Sequence, residues 1–198
     1  MATKTIISAF TEAGVAKTGL SPVVDIWQVD DNTQVITSEA MTEIAGGFYK
    51  YSFTTQNIAK DYVFKCDAVT LNDYERYSYG VIENSEGLDY AIAIFTVDGV
   101  GETGLSPTVN IWQVNDNSLV VNSASMTEIA SGFYKYNYTS FSNSLDYVVQ
   151  CNGGATLDNS ERYLFGVSKS NTNYYSLSSD IECVIEPEVD IVVAIEVG

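Results

Sequence analysis

Residues 41–51 read MTEIAGGFYKY, and residues 126–136 read MTEIASGFYKY, 85 positions later with one letter changed. The stretch reads as a β-hairpin: MTEIA is a strand, Gly46-Gly47 a tight turn and FYKYSFT the returning strand. The period of two in a strand puts Tyr49, Tyr51 and Phe53 on one face and Phe48, Lys50 and Ser52 on the other. A hairpin that delivers aromatics to a core and turns on glycine is scaffold, and a chain with two cores needs it twice.

The duplication extends well beyond the hairpin. Aligned without gaps, Gly19–Cys66 and Gly104–Cys151 agree at 28 of 48 positions. GLSPVVDIWQV answers GLSPTVNIWQV, DYVFKC answers DYVVQC and, one inserted residue later, ERYSYGV answers ERYLFGV. Upstream, IISAFTEAGVAKTGLSP matches AIAIFTVDGVGETGLSP. A unit of about 85 residues is too long for a solenoid repeat and suits a small domain with its own core. The expected organisation is one sandwich over residues 1–86, a second over 87–170, and a linker with a C-terminal strand over 171–198. The boundary falls in the polar stretch ENSEGLD, Glu83–Asp89.

Within a module the strands follow from alternation and punctuation. KTIISAFT is the first, and VVDIWQV follows Pro22, which suits a strand's first residue because its missing N–H matters least there. Val24 and Ile26 are unchanged in the second copy as Val109 and Ile111, while Val23 and Asp25 become Thr108 and Asn110. That places Val24 and Ile26 inside, with Asp25 and Trp27 on the other face. DDNT (Asp30–Thr33) and NDNS (Asn115–Ser118) are hairpin turns from their Asp and Asn content. QVITS, the hairpin, DYVFKCDAV with Tyr62, Phe64 and Cys66 on one face, and ERYSYGVI complete the count. About seven short antiparallel strands in roughly 85 residues is the pattern of an immunoglobulin-like β-sandwich. The fold class expected is therefore all-β, two tandem antiparallel sandwiches plus a strand-like tail.

Composition limits the function. The 198 residues are 45% hydrophobic, with 14 Tyr and 8 Phe, which favours strands over helices. The formal charge is −17, from 26 acidic and 9 basic residues. Such a chain is a poor match to nucleic acid, whose phosphates require clustered Lys and Arg, and to anionic membranes. No stretch approaches the ~20 apolar residues of a membrane span. The opening MATKTIISAF has too short an apolar run for a signal peptide, so synthesis in the cytoplasm is expected. Cys66 and Cys151 occupy one matching position in each module, so neither module holds a pair of its own, and both read as small buried core residues.

Little in the sequence points to catalysis. There is no histidine, which removes the usual general base and any Ser-His-Asp triad. GVGETG (Gly99–Gly104) precedes a strand, where a phosphate loop would open a helix. Asp30 with Asp31, and Asp73 with Glu75, are carboxylate pairs that nothing places in a cleft. The two ERY triplets, Glu75–Tyr77 and Glu161–Tyr163, read as exposed Glu–Arg pairs opening the last strand. Calcium is the one metal whose ligands are in view. Asp30, Asp31, Asn32, Asp116 and Asn117 offer hard oxygens, but their spacing matches no EF-hand loop, and turns favour these residues for backbone reasons. No cofactor is expected, nor an enzyme.

The phrase order KTGLSPVVDIWQV, MTEIAGGFYKYSF, KDYVFKCDA resembles the small immunoglobulin-like domains that recur in structural proteins of tailed phages. There a TGLTP-like opening, a GFYKY-like hairpin and a DYV…C strand follow in that order. The resemblance covers roughly residues 4–167 and leaves out the tail; similar domains also occur in bacterial adhesins and surface proteins. It implies a non-enzymatic virion component assembled in the host cytoplasm: a capsid decoration protein, head fibre or tail accessory. The implied partners are other virion proteins or copies of itself. The alternative is an adhesion module that recognises a host-surface glycan or receptor, for which exposed aromatics such as Trp27 and Trp112 are the candidate contacts.

The tail is where function is expected to show. After SKSNTNYYSLSSD, a polar linker, the chain runs IECVIEPEVDIVVAIEVG. Val189, Ile191, Val193, Ile195 and Val197 share one strand face, and Asp190, Val192, Ala194 and Glu196 the other. A lone strand does not persist in water, because its apolar face and its ladder groups need a partner. It could fold back on the second module, or start a third, since IVVAIEVG echoes AIAIFTVDG. The reading favoured is pairing with another subunit in a homo-oligomer or larger assembly.

Overall fold

The computed structural model describes residues 3–83, 90–142, 144–169 and 172–177. The chain divides into two compact units, the first mainly residues 1–86 and the second mainly residues 87–198. Both are all-β.

The first unit contains β1 (Lys4–Ala9), β2 (Thr11–Glu12), β3 (Val15–Ala16), β4 (Val23–Gln28), β5 (Gln34–Ala40), β6 (Thr42–Ala45), β7 (Phe48–Phe53) and β8 (Tyr62–Asp67). A single helical turn, α1 (Asp73–Arg76), precedes β9 (Tyr77–Ile82). Two antiparallel sheets, ordered β1-β7-β6 and β5-β4-β8-β9, form the sandwich, and β2-β3 is a short ribbon beside them. Those orders match strands B-E-D and C′-C-F-G of an immunoglobulin-like domain, with no counterpart of strand A among the described residues. The core lies between the sheets. Ile6, Tyr49 and Phe53 come from one; Val24, Ile26, Tyr62, Phe64 and Cys66 come from the other. Each large apolar side chain buried this way contributes roughly 1.5–3 kcal/mol. Phe53 and Tyr62 meet edge to face at 5.0 Å.

The hairpin that opened the sequence reading has Ala45 opposite Phe48, which leaves Gly46 and Gly47 as the two loop residues. Both have positive φ, 57° and 83°, as a type I′ turn requires. The repeat's single letter change falls on the tolerant one. A Cβ on Gly46 would meet nothing within 4 Å, whereas one on Gly47 would lie 2.9 Å from the Phe10 carbonyl oxygen. That oxygen is close because the Phe10 N–H donates to the Gly47 carbonyl at 3.0 Å. In the second copy Ser131 takes the open position and Gly132 keeps the crowded one, 2.7 Å from the Phe95 oxygen.

The second unit repeats the plan with β10 (Tyr90–Ile94), β11 (Thr96–Val97), β12 (Val100–Gly101), β13 (Thr108–Gln113), β14 (Leu119–Ser125), β15 (Thr127–Ala130), β16 (Phe133–Asn137) and β17 (Tyr147–Asn152). A helical turn, α2 (Asn159–Arg162), leads into β18 (Tyr163–Lys169), and β19 (Thr172–Leu177) follows. The sheets are β10-β16-β15 and β14-β13-β17-β18-β19. The core again joins both, through Ala93, Phe95, Tyr134, Val109, Ile111, Tyr147 and Cys151.

Three expectations need correction. Part of the stretch read as a polar linker is β19, antiparallel to β18 with Gly166 opposite Ser176 and Val167 opposite Tyr175. Its Thr and Tyr content suits a strand, and its Ser and Asn content masked this. In the first ERY triplet, Glu75 and Arg76 lie in α1, and Arg76 bonds Asp67, not Glu75. Asp25 does face away from the core, but it is 9% exposed; its carboxylate accepts from the Ser38 N–H at 2.9 Å and the Gln34 side chain at 3.0 Å. That spends its charge on the bulge in β5, where Ser38 has φ 48°. In the second unit the neutral Asn110 accepts from the Ser123 N–H at 2.7 Å.

Candidate functional site

The repeated phrases prove to be one mechanical assembly. The Tyr49 hydroxyl, at the end of a fully buried side chain, donates to the Lys17 carbonyl and accepts from the Leu20 N–H, each at 3.0 Å. Glu43, on the other arm of the hairpin, accepts from the Gly19 N–H at 2.9 Å. Thus GFYKY and MTE together hold the KTGLS loop. Tyr134 and Glu128 repeat this on Glu102, Leu105 and Gly104, at 3.0, 3.0 and 2.9 Å. Beside this loop in the second unit is an open cleft of about 410 Å³, lined by Glu102, Thr103, Gly104, Ser106, Gly153 and Thr156 among others. Its walls are short polar side chains and glycine backbone together with Leu105 and Ala155, and they carry a single carboxylate.

The ERY triplets form a second clamp. Arg76 donates to Asp67 through two nitrogens, at 2.7 and 3.0 Å, and its guanidinium stacks 4.9 Å from the Tyr77 ring centre. The paired Asp67, through its hydrogen bond first and its charge after, pushes the Arg76 pKa further up. Arg162 makes one bond to Asn152 at 2.9 Å and stacks on Tyr163. Each closes the loop between its last two module strands.

The two tryptophans differ. Trp27 is 8% exposed and its cross-strand neighbour Val63 is fully buried. Trp112 is half-buried, and its neighbours across the sheet, Leu119 and Val148, are 44% and 38% exposed. A flat apolar row Leu119–Trp112–Val148 therefore crosses the outer face of the second unit's larger sheet. Of the two sequence candidates, Trp112 has surface to offer a ligand.

Several charged and thiol groups among the described residues have structural partners or are buried. Asp31 accepts from the Thr33 N–H at 3.0 Å, which holds its pKa below the usual value, and Asp116 is held down by Ser118. Asp30 pairs with Lys60. Asp31 and Asp116 thus bind their own turns, and Asp30 ties its turn to the loop that carries Lys60. Among the described residues no three His, Cys, Asp or Glu side chains cluster as a metal site would require, and no helix is long and apolar enough to cross a membrane. Cys66 and Cys151 are buried free thiols, each pushed up to about 12 chiefly by burial. Glu83 is pushed up to about 7 by burial and then by the charge of Asp61, against the pull of Lys4.

Val189, Ile191, Val193, Ile195 and Val197 lie outside the described residues. What is described next to them is β19, which extends a four-strand plan to five. Searches of family models, curated proteins and solved structures return no match to this chain.

Proposed function

We propose that this chain is a non-enzymatic structural component of a tailed-phage virion, made in the host cytoplasm. In this reading two sandwiches stand in series, and the C-terminal segment attaches them to a capsid or tail, to other virion proteins or to further copies of the chain. The observation that carries it is the alternation Val189, Ile191, Val193, Ile195, Val197 in a stretch that follows two complete sandwich modules. Such a strand needs a sheet to join. The order of the TGLSP, GFYKY and DYV…C motifs supports a virion setting, and the repeated side-chain clamps suit rigid modules whose task is mechanical. Mass spectrometry of purified particles tests the proposal. The chain should appear in stoichiometric copy number, and its absence from intact particles would overturn the assignment.

A second reading rests on the Leu119–Trp112–Val148 row. Flat apolar strips with an indole present the face that sugar rings stack on. Here the second unit would grip a host-surface glycan while the tail holds the particle. Trp112→Ala should then abolish binding to a glycan array that the intact chain recognises.

A further inference from the structure

The two units differ at one edge. In the second, β18 carries β19 as a fifth antiparallel strand. Its repeat counterpart β9 ends a four-stranded sheet. The chain order explains the difference, because after β9 the polypeptide goes on to β10, the first strand of the next module. Among the described residues no strand pairs with the outer edge of β9.

The composition of β9 suits an acceptor. Among the edge strands of the first unit's two main sheets, β1 carries Lys4, β5 carries Glu39 and β6 carries Glu43. Charges at an edge discourage pairing with a stranger. The β9 sequence, Tyr77-Ser78-Tyr79-Gly80-Val81-Ile82, has neither a charge nor a proline. Residues 189–197 offer nine residues of strand alternation outside the described elements, enough to span the six of β9.

We propose that β9 is an acceptor edge for the C-terminal strand, residues 189–197, of a second copy of this chain. This rests on the assembly reading above and names its joint. The donor strand adds to the β5-β4-β8-β9 sheet as β19 adds to β18, by main-chain hydrogen bonds, with the valine and isoleucine face turned to the core side. Each chain has one such donor and one such acceptor. The contact therefore closes as a reciprocally exchanged dimer or a larger ring, or extends as a fibre.

Two full-length chains test it, both carrying Cys183→Ser so that the third cysteine is silent. One adds Val81→Cys, on the outer face of the sheet beside Val63, and the other Val192→Cys, with Asp190→Cys and Ala194→Cys as register controls on the same tail face. Mixed under mild oxidant, the two kinds should form a disulfide-linked heterodimer with one tail position favoured. In a third chain that carries both the Val81→Cys and the tail cysteine, a link that forms only within the chain, with none between the two single-cysteine chains, would overturn the proposal in favour of the chain's own tail. No link at any tail position, in a protein that is still oligomeric, would overturn the β9 site and leave the assembly reading standing. A monomeric unmodified protein would overturn both. Amide exchange of the unmodified chain is an independent check. Residues 77–82 should exchange at least about tenfold faster once the chain is cut after Asp180, and unchanged rates would contradict the proposal.

Discussion

The Tyr49 hydroxyl donates to the Lys17 carbonyl oxygen at 3.0 Å, and Tyr134 makes the same bond to Glu102. Lys17 and Glu102 share no chemistry beyond the backbone, so the contact is indifferent to the side chain there. The tyrosine is fixed because its ring fills the core while its hydroxyl reaches out to hold a loop. The recurrence of GFYKY is thereby explained without a binding site.

Removing that hydroxyl should be costly. Tyr49→Phe leaves the partly buried Leu20 N–H and the Lys17 carbonyl without their partner. A loss of about 1–3 kcal/mol is expected for the first unit, and the same for Tyr134→Phe in the second. Urea unfolding followed by tryptophan fluorescence checks this, each variant shifting one transition.

Gly80 and Gly166 are equivalent in sequence and unequal in space. A Cβ on Gly80 would lie 2.3 Å from the Phe64 ring, whereas one on Gly166 would be 4.0 Å from Val149. Gly80→Ala should therefore destabilise its unit by roughly 1–3 kcal/mol, and Gly166→Ala should be near neutral. Phe64→Val, which copies the second unit, should rescue Gly80→Ala in a melting experiment.

Ser8 is 2% exposed, and its hydroxyl finds no regular hydrogen bond; the weakly bonding Cys66 thiol is the polar group beside it. The second copy has Ala93 at this position. Ser8→Ala should stabilise the first unit by about 0.5–1 kcal/mol, read as a raised melting temperature.

These cases show where sequence was a sufficient guide. The seven main strands of each module, the Asp-Asn turns and the inward set Val24, Ile26, Tyr62, Phe64 and Cys66 follow from local alternation and turn chemistry. Gly47 was legible as a turn residue, but its crowding against Phe10 needed the folded chain. Partnerships across loops were not legible. Arg76 sits next to Glu75 and bonds Asp67, nine positions back. Asp25 looked like a surface carboxylate and proves buried, because a backbone bulge supplies its donors. The strand β19 was hidden by serine and asparagine. Of the candidate contacts, Trp27 and Trp112 looked alike in sequence and differ in exposure, which no local pattern encodes.

Glu83 gives a pH signature. Its folded pKa, about 7, lies above the ordinary 4.5, so the folded unit holds the proton more tightly than the unfolded chain. Its stabilising contribution is therefore complete below about pH 4.5 and is lost as pH rises through about 7. General carboxylate repulsion pulls the same way in this acidic chain, so the informative quantity is the difference from Glu83→Gln. The first unit's unfolding free energy should fall more steeply over this interval in the parent than in the variant. Parallel curves would contradict the assignment.

The central claim is that two self-sufficient sandwiches are joined into an assembly by the C-terminal segment. The most direct measurement is the solution mass, by light scattering after gel filtration, of the full chain and of a chain ending at Asp180. The full chain should be oligomeric, and the shortened one a monomer that keeps its β-rich circular dichroism and both cooperative melts. A shortened chain that retains the full chain's oligomeric state would contradict the account.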